Sequence, residues 1–229
     1  MYKDMPTILV CNPNAMYYQH MVNHPHAFYL RFFLNRNINV MLWNYRGYGL
    51  SNGTPDPYNV KTDSEVILQF MKDTMKLKGK FGAYGRSLGG LATTHLADKL
   101  NLIIADRTFY DFDILADRKF YSLYSKHLFR LGTCKWRSIN HSNIIHKGTD
   151  SCYKVIMIEK NDEIVEVHSS LMTGVAKELY RRSKHKINIT PQFINSLQFV
   201  VNLEHDLYTI LDYQQKEENL ASESDLDQT

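Results

Sequence analysis

The chain has 229 residues, of which 27 are Lys or Arg and 24 are Asp or Glu, so its formal net charge is +3 with the histidines neutral. At 44% hydrophobic and 22% charged residues, the composition excludes an intrinsically disordered, collagen-like or disulfide-rich chain and is typical of a globular chain with one core. The only basic cluster is short, at 181–186, which gives no reason to expect nucleic-acid binding.

The cysteines bear on the cellular compartment. Cys11, Cys134 and Cys152 are odd in number and lack C-x-x-C spacing, which favours a reducing compartment and offers no thiolate metal site. The sequence contains no run of 18 apolar residues, and its start does not resemble a signal peptide. We therefore expect a cytoplasmic protein without a transmembrane segment, unless the natural protein has an upstream segment.

Six short apolar runs bounded by turn residues predict buried strands at 7–11, 38–43, 79–84, 102–105, 154–158 and 197–201. Apolar residues at helical spacing predict helices between them, at 26–34, 62–77, 88–100 and 167–180. This alternation predicts an α/β fold with a mostly parallel sheet covered by helices on both faces, and such sheets carry their active sites at the carboxyl ends of the strands. We expect one domain over 1–213, followed by an acidic disordered tail over 214–229.

The helix predicted at 62–77 has a particular start and a particular buried face. Thr62, Asp63 and Ser64 are candidate caps at its start. The expected apolar stripe follows them and consists of Val66, Ile67, Phe70, Met71 and Met75.

Residues 85–89 read GRSLG, which matches the pattern G-x-S-x-G between a predicted strand and a predicted helix. A serine forced onto so sharp a turn tolerates no Cβ two residues before or after it, which explains both glycines. Ser87 is therefore the candidate nucleophile. The alternative is a glycine-rich turn whose serine only caps the helix.

The loop after the second predicted strand adds a second motif, because residues 44–51 read NYRGYGLS. Together with GRSLG, this resembles the α/β-hydrolase superfamily, in the serine-hydrolase branch whose loop reads D-Y-R-G-Y-G-x-S; Asn44 replaces the aspartate. The resemblance runs from about residue 7 to 205. It implies an esterase, lipase, thioesterase or S33-type aminopeptidase with a small acyl or peptide substrate and no cofactor.

The resemblance also implies a catalytic acid and a catalytic base, in the chain order Ser, Asp, His. Asp162 lies where the acid is expected, with Ile164 and Val165 packing behind it, although Glu159 and Glu163 are rivals. His205 follows the last predicted strand and is the expected base.

Two features leave the base less secure. Glu204 occupies the position before His205 where relatives usually have a small residue, and the alternative for His205 is an exposed loop histidine. His168 is the nearest competitor, but it follows Asp162 closely at the start of a predicted helix. The histidines at 20, 24 and 26 lack a partner carboxylate, so we expect no bound metal.

In this fold the oxyanion donors are the backbone amide after the nucleophile, Leu88, and one from the loop after the first strand described above. Relatives often read H-G there, whereas this chain has Asn12 and Pro13. Since Pro13 has no N–H, the second donor must be Asn14 or Ala15. This departure motivates an alternative reading as a catalytically impaired, hydrolase-like binding protein. The other alternative is a generic α/β binding domain without serine chemistry.

The segment 106–151 is longer than one connecting helix needs and predicts a small helical lid. Its aromatic residues, Phe109 and Tyr110 among them, are candidates for the substrate pocket, as are Tyr17 and Tyr18 beside the oxyanion loop. The alternative for the lid aromatics is that they only pack the lid onto the body.

Relatives usually begin with a further two-stranded hairpin, which is absent from this sequence. The apolar strand 38–43 is then expected at a sheet edge, and exposed apolar edges invite pairing. We expect either a second copy of the chain or an upstream segment to cover it.

Overall fold

A computed structural model describes residues 2–23, 28–112, 151–159, 161–184 and 197–201, together with residues 115, 136 and 144. Its centre is one six-stranded sheet of order β2-β1-β3-β4-β5-β6 in which every pairing is parallel. The strands are β1 (Thr7–Cys11), β2 (Asn39–Leu42), β3 (Phe81–Arg86), β4 (Leu102–Asp106), β5 (Tyr153–Ile158) and β6 (Leu197–Val201). All six predicted strands are present, and β3 differs most from its predicted bounds.

The helices are α1 (Tyr18–Asn23), α2 (Phe28–Leu34), α3 (Pro57–Asp73), α4 (Gly90–His95) and α5 (Leu171–Lys184), with 3₁₀ turns at Tyr2–Asp4, Ser87–Gly89 and Val167–Ser169. The sequence did not predict α1, which buries only Met21. The helix predicted at 88–100 is wrong at both ends, because a 3₁₀ turn precedes α4 and α4 ends at His95. The helix predicted at 167–180 begins later, at Leu171, because residues 167–169 are also a 3₁₀ turn.

Helices cover both faces of the sheet, as alternate residues of β1 demonstrate. Leu9 and Cys11 belong to the larger hydrophobic cluster, which includes buried residues of α3, α4 and α5. Ile8 and Val10 point to the opposite face and pack in a second cluster with Phe33 of α2. Burial on both faces is typical of parallel sheets, and the predicted α/β architecture is confirmed.

The start and the buried face of α3 differ from the prediction. The helix begins at Pro57, and the side chain of Asp56 caps it by accepting a 2.8 Å hydrogen bond from the Asn59 amide. Its five buried residues are Pro57, Val60, Ser64, Leu68 and Met71. Three residues of the predicted stripe are exposed instead, namely Val66, Phe70 and Met75. The predicted start was wrong because an Asp–Pro pair five residues earlier supplies both the cap and the first helical residue. The predicted stripe was wrong because the helix turns Val60, Leu68 and Met71 toward the larger hydrophobic cluster.

Among the described strands β2 pairs only with β1, so it forms an edge of the described sheet, and its residues are half-buried. Most of the predicted lid and the whole predicted tail lie outside the described residues.

Candidate active site

Ser87 occupies a strained turn between β3 and α4. Its φ is +52°, in the left-handed region that residues other than glycine rarely adopt. β3 ends at Arg86, the 3₁₀ turn runs over Ser87–Gly89, and α4 begins at Gly90. Such backbone strain is concentrated at functional sites in proteins, and here it lies at the carboxyl end of a central strand.

The two glycines of the motif are required by packing. A Cβ on Gly85 would overlap the hydroxyl of Thr93 and the carbonyl oxygen of Gly89, and a Cβ on Gly89 would overlap the carbonyl oxygen of Cys11. The turn therefore rests directly on the end of β1. That contact brings the nucleophile turn next to the loop that leaves β1, where the second oxyanion donor is expected.

Ser87 and Asp162 line one cavity of about 320 Å³, together with Arg86, Arg107 and the rival acids Glu159 and Glu163. The strands that carry them end at the same edge of the parallel sheet, which explains why residues far apart in sequence meet there.

Backbone amides fix one oxygen of the Asp162 carboxylate. Its Oδ1 accepts hydrogen bonds of 2.7 Å from the Ile164 amide and 2.8 Å from the Val165 amide. Val165 is buried, as expected, whereas Ile164 is 67% exposed, so only one of the two packs behind the acid. The prediction was wrong for Ile164 because the turn after Asp162 directs the neighbouring side chains of Ile164 and Val165 to opposite sides.

A buried charged group that sequence reasoning missed supports the cavity wall. Arg107 donates to both carboxylate oxygens of Asp106, at 2.8 and 2.9 Å, and Tyr84 donates its hydroxyl to the same carboxylate. All three residues are buried. The sequence did contain a signal for this group. Asp106 and Arg107 directly follow the strand predicted at 102–105, and parallel sheets place functional residues at the carboxyl ends of their strands.

The loop after β1 is held by the loop after β2. Asn12 is fully buried and donates from Nδ2 to the Trp43 carbonyl oxygen at 2.7 Å. The amide of Asn44 accepts from the Tyr18 backbone N–H at 2.8 Å and donates to Gln19 Oε1 at 3.0 Å. The two loops thus form one hydrogen-bonded unit beside the nucleophile turn.

Asn14 and Ala15, the candidate oxyanion donors of that loop, are both exposed. The Asn14 side chain accepts a 2.7 Å hydrogen bond from the Tyr48 hydroxyl, and Ala15 has a left-handed φ of +59°. Leu88, the other candidate donor, follows Ser87 in the 3₁₀ turn, and its side chain is buried in the core.

The four candidate substrate-binding residues are not among those that line the described cavity. Tyr17 and Tyr18 are each 39% exposed. Phe109 is in the core, with its ring 5.8 Å from that of Phe112, and the Tyr110 ring packs so closely on Gly174 that a Cβ there would overlap it. The described contacts of Phe109 and Tyr110 thus pack the start of the 106–151 segment onto α5 and the core.

Two solved structures have a similar fold. The esterase Pf2001 of Pyrococcus furiosus superposes with a TM-score of 0.61 at 20% identity, covering 97% of this chain and 82% of that chain. XC6422 of Xanthomonas campestris, described as a lidless member of the a/b serine hydrolases, superposes with a TM-score of 0.54 at 14% identity, covering 86% and 70%. The chain has the α/β-hydrolase fold.

Two curated relatives match part of the chain, and one of them is named as an α/β hydrolase domain-containing protein. Protein bem46 of Schizosaccharomyces pombe is 33% identical over 112 residues, which are 47% of this chain and 36% of bem46. The α/β hydrolase domain-containing protein WAV2 of Arabidopsis thaliana is 29% identical over 110 residues, 45% of this chain and 34% of WAV2. The matched part thus spans about a third of these relatives. No family model matches the chain.

In an α/β-hydrolase fold the base is expected after the last strand, and β6 lies beside β5 in the sheet. The predicted base, His205, lies outside the described residues, as does the side chain of its competitor His168. Of the histidines at 20, 24 and 26, only His20 is described. Within the described residues no group of three or more His, Cys, Asp or Glu could hold a metal ion, and no helix is long and apolar enough to cross a membrane.

Proposed function

We propose that this protein is a serine hydrolase that cleaves an acyl ester, thioester or amide through Ser87, His205 and Asp162. The observation that carries the proposal is the strained Ser87 turn in a cavity that it shares with Asp162. The α/β-hydrolase fold supports a hydrolase function, and its neighbour Pf2001 is named an esterase.

In the proposed mechanism His205 removes the proton of the Ser87 hydroxyl as Oγ attacks the acyl carbonyl carbon. The tetrahedral oxyanion accepts hydrogen bonds from the backbone amides of Leu88 and Asn14. The imidazolium then protonates the leaving group, and an acyl-enzyme remains on Ser87. Water activated by the same histidine hydrolyses that ester and regenerates the serine.

Asp162 would hold the imidazole of His205 in the required tautomer. Two backbone amides bind its Oδ1, which leaves Oδ2 to accept the imidazole N–H. Glu163 is exposed, and the Glu159 carboxylate is held less firmly, since its Oε1 accepts one hydrogen bond of 3.4 Å from the Asn161 amide. We therefore favour Asp162 over both rivals.

The first test is labelling with a fluorophosphonate probe followed by peptide mapping, because only an activated serine reacts. We expect one adduct, on Ser87, and none in Ser87→Ala. Asp162→Asn keeps an oxygen that can accept from the Ile164 and Val165 amides but loses the charge. It should therefore fold normally and lose turnover by about 10⁴-fold. An unlabelled, folded wild-type protein would overturn the proposal.

A second test addresses substrate class. p-Nitrophenyl esters of increasing chain length, acyl thioesters and amino-acid p-nitroanilides should be compared by kcat/KM. Turnover of anilides in preference to esters would favour the aminopeptidase-like alternative.

The alternative function is a catalytically impaired, hydrolase-like binding protein. It is favoured by the replacement of the relatives' H-G by Asn12 and Pro13 and by Glu204 at the position before His205. Failure of probe labelling in a folded protein is the outcome that would select it.

Two further expectations stay predictions. The cytoplasmic location is tested by fractionation of the native protein, which matters because a Saccharomyces cerevisiae relative, 33% identical over 94 residues, is named a membrane protein. Coverage of the β2 edge by a second copy or by an upstream segment is tested by light scattering; a monomer with that edge bare would contradict both.

A further inference from the structure

One tyrosine holds the loop that is expected to supply the second oxyanion donor. We call residues 12–15 the oxyanion loop and residues 44–51 the clamp loop. From the clamp loop, Tyr48 donates its hydroxyl to Asn14 Oδ1 at 2.7 Å. This side-chain hydrogen bond holds the exposed end of the oxyanion loop.

The position of the Tyr48 ring is itself fixed by packing. Its centroid lies 5.3 Å from that of Tyr45, and the two rings meet edge to face. Tyr45 is fully buried and donates its hydroxyl to the Asn12 carbonyl oxygen at 2.7 Å. Two tyrosines of the clamp loop therefore bind the oxyanion loop, one at its buried start and one at its exposed end.

Burial raises the pKa of Tyr48 above its usual value, and the Ala15 N–H opposes that rise only in part. The phenol is consequently neutral near pH 7 and keeps the proton that it donates to Asn14.

The hydrogen bond of Tyr48 favours one of the two candidate donors. It is made to Asn14, whereas the other candidate, Ala15, has a left-handed φ of +59°. The Asn14 amide makes no hydrogen bond to any other described residue. Because Tyr48 holds the side chain of Asn14, we take the Asn14 backbone N–H as the second donor.

We propose that Tyr48 is a positioning residue of the oxyanion hole, whose hydroxyl orients the oxyanion loop so that the Asn14 amide can bind the tetrahedral intermediate. This inference rests on the proposed function, since an oxyanion forms only if Ser87 attacks an acyl carbonyl.

Tyr48→Phe tests the inference because it keeps the ring against Tyr45 and removes only the hydroxyl. Loss of an oxyanion donor outright lowers kcat by roughly 10²- to 10³-fold, so a misplaced donor should lower it by about 10-fold. KM for a p-nitrophenyl ester should change by less than about twofold, because the interaction is made in the transition state. The matched control is Tyr58→Phe, which removes a hydroxyl from a tyrosine that is 73% exposed and should leave kcat unchanged.

A boronic acid that forms a tetrahedral adduct with the serine supplies a second readout. Its Kd should rise by about the same 10-fold in Tyr48→Phe. Asn14→Ala removes the acceptor of the Tyr48 hydroxyl but keeps the backbone amide. If Tyr48 acts through Asn14, the double variant should be little worse than the worse single variant.

The outcomes distinguish this inference from the proposed function. A wild-type protein that labels at Ser87, with Tyr48→Phe turning over at the wild-type rate, overturns the positioning role alone. A fall in kcat that only parallels a lowered Tm, with unchanged boronate affinity, also overturns it. A folded wild-type protein that fails to label overturns both.

Discussion

The side-chain hydroxyl of Thr108 donates a 2.6 Å hydrogen bond to the carbonyl oxygen of Ser87. Thr108 is buried, and its side chain also fills the space where a Cβ on Gly90 would stand. A residue just beyond β4 thus supports the strained serine from the neighbouring strand. The β4 exit is therefore part of the scaffold of the candidate nucleophile.

Thr108→Val should remove this hydrogen bond while keeping the shape of the side chain. We expect a loss of about 1 kcal/mol in the free energy of unfolding, measured by urea denaturation, and weaker probe labelling of Ser87. Thr108→Ser keeps the donor and is the control; it should label faster than the valine variant. Equal labelling of the two variants would contradict a role for the hydroxyl.

Gly89→Ala should destabilise the protein by at least about 2 kcal/mol. The added Cβ would overlap the backbone carbonyl of Cys11, which has no room to move in a central strand. Gly82→Ala is the matched control in β3, because there the nearest atom is the end of the Ile8 side chain at 2.9 Å. Thermal melts of both variants test this. A Gly89→Ala protein as stable as Gly82→Ala would be evidence against the described turn.

Asp106→Asn should remove the carboxylate charge to which the buried guanidinium of Arg107 donates at 2.8 and 2.9 Å. Breaking a buried ion pair from one side costs about 3–5 kcal/mol, so we expect a loss of that order in the free energy of unfolding. Asp63→Asn is the comparison, because Asp63 pairs with the exposed Arg46 and its loss should matter far less. The measurement is the urea concentration at the midpoint of unfolding, which should be lower for Asp106→Asn than for Asp63→Asn. The reverse order would show that the ion pair of Asp106 with Arg107 does not stabilise the fold.

The buried thiol of Cys11 should make the free energy of unfolding fall at alkaline pH. Burial raises the pKa of its thiol to about 11, an effect only partly opposed by the side chains of Thr93 and Trp43. The thiol has a pKa near 9 in the unfolded chain. The stability gained by burying the protonated thiol is therefore complete below pH 9 and is lost as the pH rises toward 11. The slope is up to about 1.4 kcal/mol per pH unit in that window.

Cys11→Ala should reduce this decline, measured as the difference in unfolding free energy between pH 8 and pH 10.5. Burial also raises the pKa of Cys152 to about 11, so Cys152→Ala should act in the same direction. An unchanged decline in Cys11→Ala would show that its thiol is solvated.

The sequence predicted the sheet because parallel strands buried on both faces are short apolar runs, a local signal that needs no knowledge of distant contacts. The Ser87 turn was predictable for the same reason, since the G-x-S-x-G pattern is a local signal. The contact that requires Gly89 is not local, because it is made with the carbonyl oxygen of Cys11 in β1. The error at α3 was also local. The capping pair Asp56 and Pro57 was present in the sequence but was passed over for the later Thr62–Ser64 group.

The contacts that support the site were not predictable in this way. Tyr84 reaches Asp106 because Arg86 and Asp106 are paired in the register of β3 and β4, and register is a property of the folded sheet. Tyr48 reaches Asn14 for a similar reason, since β2 and β1 end side by side. The role of Phe109 was undecided in the sequence, since a large aromatic side chain suits a core and a substrate pocket equally well.

The primary amide of Asn44 has a consequence for protein engineering. Its oxygen faces a backbone N–H and its nitrogen faces the side-chain oxygen of Gln19. Restoring the aspartate of the resembling motif would therefore set two acceptors against each other until the Gln19 amide rotates by half a turn. Positions 19 and 44 are best exchanged as a pair.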